Sequence, residues 1–257
     1  MTECGVWAYA VSAEIGPDRL AGLTGVAGQP VRSVTGDGLA AAVSTVSMAE
    51  FGEQPLRRRL EDLAWLGATA RAHHQVIEAL APPVVPLRLA TIYRDDSNVA
   101  ALLTQRQADF AAALAELTGR SEWGVKLFVG QSVAPATPAE PDLPGAGPGL
   151  SYLRRRQRQL AARDQARQAG AATAQQVHAA LGRLAAASQL RPLQSAELTG
   201  EVTAMLLNAT YLVDDAASAR FAEAAATLGR QHGVRVEITG PWPPYSFAVL
   251  APREAAS

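Results

Sequence analysis

Two periodicities run along this chain. Residues 6–11 form an apolar strand, with Val6, Ala8 and Ala10 on one face and Trp7, Tyr9 and Val11 on the other, closed by polar residues and Gly16-Pro17. Residues 17–25 read as a short helix ended by Gly25. The stretch "PVRSVTGDGLAAAVSTV" predicts strands at 31–35 and 38–46 around Gly36-Asp37-Gly38, because glycines flanking an Asp permit the positive φ of a tight hairpin. Pro55 suits the first position of a helix carrying Leu56, Leu60, Leu63, Leu66, Val76, Ile77 and Leu80 at helical spacing, which Pro82-Pro83 stop. A strand at "VVPLRLATIY" follows, and Pro86 demands an edge or irregular place for it. Asp95-Asp96-Ser97-Asn98 then offers N-caps for a helix to about Leu117, ended by Gly119.

The second half repeats the scheme. "EWGVKLFV" (122–129) reads as a strand, and a Pro/Gly-rich loop (133–149) leads into an Ala/Gln/Arg helix of about 150–187. Strands at 188–198 and 202–213 precede a helix capped by Asp214-Asp215 and ended by Gly233, with Phe221, Ala224, Ala225 and Leu228 on one side. In "VRVEIT" Val234, Val236 and Ile238 face one way and Arg235, Glu237 and Thr239 the other. "YSFAVL" (245–250) is expected to complete the sheet, after a corner stiffened by Gly240, Pro241, Pro243 and Pro244. The expected fold class is α+β in two domains, 1–120 and 121–257, each of β-α-β-β-α-β-like order. That is the split βαβ order of a ferredoxin-like sandwich, with a long first helix in the C-terminal domain.

Composition narrows the function classes. The chain has 257 residues, 48% hydrophobic and 18% charged, which suits a globular protein. No run of about twenty apolar residues predicts a membrane span, and the N-terminus lacks the basic and apolar regions of a signal peptide. A single cysteine, Cys4, excludes an internal disulfide and fits a reducing cytoplasm. Four histidines and one cysteine make a structural zinc site an unfavoured reading. A net charge of −1 does not advertise nucleic-acid binding.

No catalytic set stands out. Gly25, Gly28, Gly36 and Gly38 match neither a dinucleotide nor a P-loop spacing, and no G-x-S-x-G elbow is present. His73 and His74 are adjacent on a helix, about 100° apart, and so are expected as surface or boundary histidines rather than metal ligands. Catalytic, metal and cofactor sites are therefore expected to be none. Arg88, Glu122 and Lys126 give only weak support to an enzyme, since single charges on strands usually pair structurally.

Two stretches qualify as binding elements. "YLRRRQRQLAAR" opens the long helix with Arg154, Arg155, Arg156, Arg158 and Arg163, and Arg167 follows; Asp164 is the only acid nearby. Cations in a first turn oppose the helix dipole, so local stability did not select them. They suit either an acidic partner or simply a solvated face, the second being favoured on frequency. Leu153, Leu160, Val177, Leu181 and Leu184 make a thin apolar stripe along the same helix. The second stretch is "TGPWPPYSFAVL" (239–250). There Trp242 and Tyr245 serve either a stiff corner tucked over the core, the favoured reading, or an apolar contact surface.

The motifs also bear comparison with known families. "GPWPPYSF" after "YLVDD" and a helix resembles the C-terminal hallmark of the gas vesicle protein L/F family. "GVWAYAV", "GLAAAVSTV", "HHQVIEAL…VVPLRLATIY", "EWGVKLFV" and "GPGLSYLRRRQRQ" are similar to its other segments, in the same order; Leu89-Ala90 departs from the usual Phe-Gly. The resemblance implies a cytoplasmic, non-enzymatic accessory or minor shell protein of the gas vesicle, in contact with the major shell protein and other accessory proteins, with a ferredoxin-like C-terminal domain. It carries over no catalytic residue. A small-molecule-binding regulatory module on ferredoxin-like domains stands as the alternative.

Overall fold

A computed structural model describes residues 3–80, 83–130, 148–194 and 203–248. The fold is mixed α and β, built on two antiparallel sheets. The chain folds into two compact units, the first running to Glu122 and taking in the segment from Pro241, the second spanning Trp123–Gly240. The expected 121–257 domain is thus drawn differently: the tail from Pro241 groups with the first unit.

In unit 1, β1 (Cys4–Ser12), β2 (Arg32–Gly36), β3 (Leu39–Ser47) and β4 (Val85–Pro86) lie in the order β2-β3-β1-β4, and β5 (Ile92–Tyr93) also pairs with β1. This is the split βαβ order, all antiparallel. Every residue of β1 from Gly5 to Ser12 is buried, which explains why its sequence is apolar on both faces. The β2–β3 hairpin turns on Asp37 (φ 49°) and Gly38 (φ 74°), the pair of positive φ values a two-residue hairpin loop demands.

The helices of unit 1 are shorter than their periodicity suggests. The expected helix 17–25 is only α1 (Pro17–Leu20). Gly25 does not cap it: a Cβ there would overlap the Tyr9 hydroxyl, which accepts from the Val26 amide at 2.8 Å and bonds Ser44 Oγ at 2.6 Å. After the short α2 (Met48–Phe51), the apolar spacing from Leu56 to Leu80 divides between α3 (Glu53–Arg59) and α4 (Leu63–Ala79). Asp62 restarts the helix by accepting from the amides of Ala64 and Trp65. Likewise 96–117 is α5 (Asp96–Gln105), capped by Asp95, and α6 (Gln107–Leu117), parted at Arg106. The strand expected over "VVPLRLATIY" is two short pieces, β4 and β5, because Ala90 between them adopts φ 65°.

Unit 2 repeats the order with different proportions. β6 (Arg120–Val129) enters it and α7 (Pro148–Gly182) follows. Then come β7 (Ala187–Leu190), β8 (Met205–Asp214), α8 (Ser218–His232) and β9 (Val234–Trp242). The sheet runs β7-β8-β6-β9, again second-third-first-fourth. Its core joins Leu127, Val177, Leu181, Leu207, Tyr211 and Phe221. Gly124 sits where a Cβ would meet Thr239 Oγ1 at 2.6 Å, so only glycine lets the strands approach there.

Three expectations change in unit 2. The strand expected at 188–198 is the four residues of β7, and its far part, like the loop 133–147, lies outside the described residues. Neither Asp214 nor Asp215 is the N-cap of α8: a 3-10 turn (Asp215–Ala217) intervenes and Ala217 takes that position. The final strand of the sheet is β9, which runs through Gly240 and Pro241, whereas Tyr245–Phe247 form a turn. The amides of Phe247 and Ala248 donate to the Pro244 carbonyl at 3.1 and 3.0 Å, and that of Tyr245 to Pro243 at 2.8 Å. Pro243 and Pro244 cannot donate to a ladder, so their carbonyls coil the following residues instead. Residues 249–250 lie outside the described residues.

Candidate functional site

The long helix α7 has two halves. From Gly170 inward it packs on its own sheet: Ala174, Val177 and Leu181 are buried, and a Cβ on Gly170 would lie 2.8 Å from Leu206. Residues 152–169 are exposed, every one of them. This outer half, about 27 Å long at the α-helical rise, carries Arg154, Arg155, Arg156, Arg158, Arg163 and Arg167 against Asp164, a net charge of +5. Tyr152, Leu153 (57% exposed) and Leu160 (48%) stand among them. The expected apolar stripe is therefore buried over its inner part and open over its outer part.

Trp242 and Tyr245 fall in a second place. Tyr245 is half-buried and packs against the core of unit 1 that holds Trp7, Tyr9, Phe51 and Ile77. Its hydroxyl lies 2.8 Å from His74 Nδ1, and His74 Nε2 lies 3.2 Å from Glu78 Oε1. Burial raises the Tyr245 pKa, and the charges of Glu78 and Glu122 raise it further, so the phenol stays protonated. Trp242 stands edge-on to His74 with centroids 5.5 Å apart, but is 43% exposed. The backbone does turn a corner here. The indole is not tucked away over the core: it is partly open to solvent beside His74.

The tail is fixed by a pair that no local pattern in the sequence joins. Glu122 is buried and accepts at both oxygens from Ser246, from the amide at 2.7 Å and from Oγ at 2.6 Å. A signal was present: Glu122 opens the E-x-G-V-K motif and Ser246 lies in "PPYSF", two of the segments that carry the resemblance. Their separation of 124 residues hid the contact.

The other chemically capable groups have structural occupations. His73 is a core residue, not a surface one: Trp7 Nε1 donates to its Nδ1 at 3.0 Å, and its Nε2 faces the Leu87 carbonyl at 3.1 Å. Burial lowers its pKa to about 4, with the Leu87 bond opposing and the neighbouring His74 adding to the shift. Both nitrogens are engaged, so the ring is a neutral fixture of the core. Lys126 donates to Gln194 at 3.0 Å. Arg88 lies in the β4–β5 connection; its backbone carbonyl, not its guanidinium, takes part there, accepting from Thr91 Oγ1 at 2.7 Å. Among the described residues no cluster of His, Cys, Asp and Glu is arranged to hold a metal ion, and no helix is long and apolar enough to cross a membrane. A hollow in unit 1 is lined by Phe51, Trp65, Ala68, Thr69 and Ala72, with Glu50 and Arg59 paired at 3.2 Å on its wall.

Comparison with known proteins completes the picture. The family model for gas vesicle synthesis protein GvpL/GvpF matches residues 5–249. Gas vesicle protein L of Streptomyces sp. (strain CB03234) is 43% identical over 233 residues, covering 90% of this chain and 87% of that one. Gas vesicle protein F of the same strain is 29% identical over 250 residues, covering 90% and 92%. In fold, the chain is similar to the crystal structure of the gas vesicle protein GvpF from Anabaena sp. PCC7120, with a TM-score of 0.69 at 17% identity over 99% of this chain and 100% of that one. The split βαβ sheets, the "GPWPPYSF" tail clamped by Glu122 and a family match over nearly the whole length lead to one conclusion: the chain belongs to the GvpL/GvpF family of gas vesicle synthesis proteins.

Proposed function

We propose that this protein, whose family gives it a role in gas vesicle formation, acts in the cytoplasm as a non-enzymatic accessory or minor shell protein. In this reading it binds the major gas vesicle shell subunit and other accessory proteins during assembly. The observation that carries the reading is the outer half of α7, a cationic helical surface with exposed leucines that its own sheet does not use. Arg154, Arg155, Arg156 and Arg158 form its first charged turns, and Trp242 offers a second, apolar contact. The greater identity to the L protein than to the F protein of one strain, 43% against 29%, supports an L-type part in assembly.

Capture of the purified shell subunit on the immobilised full-length protein tests this. Retention is expected from wild type and is expected to fall with Arg155→Glu combined with Arg158→Glu, while thermal melting stays unchanged. Absence of any association, together with normal vesicles in a deletion strain, overturns it. A ligand-binding regulatory module would use the Phe51–Trp65 hollow. Clear thermal stabilisation by nucleotides or amino acids would favour that alternative.

A further inference from the structure

The face that α7 lays on its sheet does not stop where the sheet stops. Gly170, Ala174, Val177 and Leu181 are spaced by alternating steps of four, three and four residues, and Ala174, Val177 and Leu181 are buried. Extending the same alternation outward gives Arg167, Arg163, Leu160, Arg156 and Leu153. This is an unbroken 3.5-residue period, the spacing that keeps one stripe of a helix against a partner helix. Inside, the stripe is small and apolar, as a sheet requires. Outside, it becomes leucines separated by arginines, and both leucines are about half exposed.

Resting on the reading of this arm as a partner-binding surface, we propose that residues 152–169 take an acidic amphipathic helix. It would present apolar side chains to Leu153 and Leu160 and carboxylates to Arg156, Arg163 and Arg167. Charge complementarity selects this occupant. The arm's net charge of +5 repels the same segment of a second copy, which rules against an arm-to-arm pair. A nucleic acid or an anionic lipid surface would need only the charge. Neither accounts for leucines held seven residues apart on the stripe that also carries three arginines. Carboxylate–guanidinium pairing across such a seam is geometrically specific because the guanidinium is a rigid two-pronged donor.

The probe is a synthetic helix-forming peptide of about three heptads, with Leu at the first two a positions, Glu at the third a and at d, e and g, and Ala and Gln elsewhere. It is titrated against the full-length protein by fluorescence anisotropy. Saturable binding that weakens with salt is expected. A peptide of identical composition in scrambled order should bind about tenfold more weakly or worse. Arg156→Glu with Arg163→Glu, and separately Leu153→Asp with Leu160→Asp, should each lower affinity about tenfold while melting temperature is unchanged. No binding, equal binding of the scrambled peptide, equal affinity for duplex DNA or anionic vesicles, or indifference to the leucine pair overturns the proposal. If the peptide fails but the shell subunit is still captured, the seam falls and the proposed function stands. If the peptide binds while the shell subunit is not captured, the seam stands and the partner's identity falls.

Discussion

Unit 1 and unit 2 use the same strand order and differ most in the connection between their first two strands. In unit 1 that crossover holds a four-residue helix, Pro17–Leu20; in unit 2 it holds the 35 residues of α7. Both sheets have their strands in the same relative places. A short crossover is thus enough to bring the second strand home, and unit 2's sheet engages α7 only from about Gly170 onward. The outer residues, 152–169, are all exposed and do not serve the sheet's core. An exposed helix of this length is marginal in isolation; here it extends a helix already nucleated on the sheet, and its alanines favour propagation.

Truncating one leucine from each half of α7 puts this contrast under the greatest strain. Leu181→Ala, in the buried half, should destabilise by roughly 3–4 kcal/mol through lost burial and a cavity. Leu160→Ala should stay within about 0.5 kcal/mol. Denaturant melts that gave equal losses would show that the outer half is part of the core after all. The second largest effect separates the units by pH. His73 is the histidine of the buried core, with a pKa of about 4 against an ordinary value of 6.5. Between these values the unfolded chain binds more protons than the folded one. Stability is therefore intact above pH 6.5 and falls as pH drops toward 4, by about 3 kcal/mol in all. His73→Gln should remove most of that slope. Calorimetry between pH 7 and 4.5 should show the unit 1 transition moving down faster than that of unit 2, and parallel movement would contradict the assignment.

Smaller effects concern the joints of unit 1. Glu122→Ala strips the Ser246 amide and hydroxyl of their acceptors in a buried place, a loss of about 2 kcal/mol. It should speed proteolysis of the tail beyond Pro241, and an unchanged digestion pattern would count against the clamp. Smallest is a gain. Ala90 holds φ 65°, where the family pattern has glycine, so Ala90→Gly should stabilise by about 0.5–1 kcal/mol by relieving left-handed strain. A loss on equilibrium unfolding would mean that the Ala90 methyl, which packs against the unit 1 core, matters more than the strain.

Local signals carried the architecture a long way. Asp37-Gly38 placed the first hairpin because two positive φ values have few sequence solutions, and Gly233 ended α8 in the left-handed conformation for the same reason. Periodicity did less well at boundaries. The leucines from Leu56 to Leu66 keep helical spacing across the break at Asp62, yet Leu60 and Leu63 beside it are exposed, so spacing alone reported neither the break nor the buried side. "YSFAVL" alternates like a strand, yet alternation is silent about neighbours, and the prolines before it decide for a turn. The arginines of α7 were visible as a surface. That they share a stripe with the buried inner residues became plain only once the end of the contact with the sheet was known. Glu122 and Ser246 were each inside a recognisable motif, but pairing two motifs needs three-dimensional proximity that no local rule supplies.

The clamp of Ser246 on Glu122 also has a consequence for the order of folding. The chain leaves unit 1 after Glu122 and returns at Pro241, along β6 and β9, which are neighbours in the sheet of unit 2. While unit 2 is unfolded, bringing the tail back to Glu122 means closing a flexible loop spanning Trp123–Gly240, an entropic penalty of about 4 kcal/mol for a loop of that length. Once β6 and β9 are paired, the loop is already closed and only a few residues remain to be positioned. Pairing of β6 with β9 ahead of the tail therefore removes most of the entropic cost of seating Ser246 on Glu122.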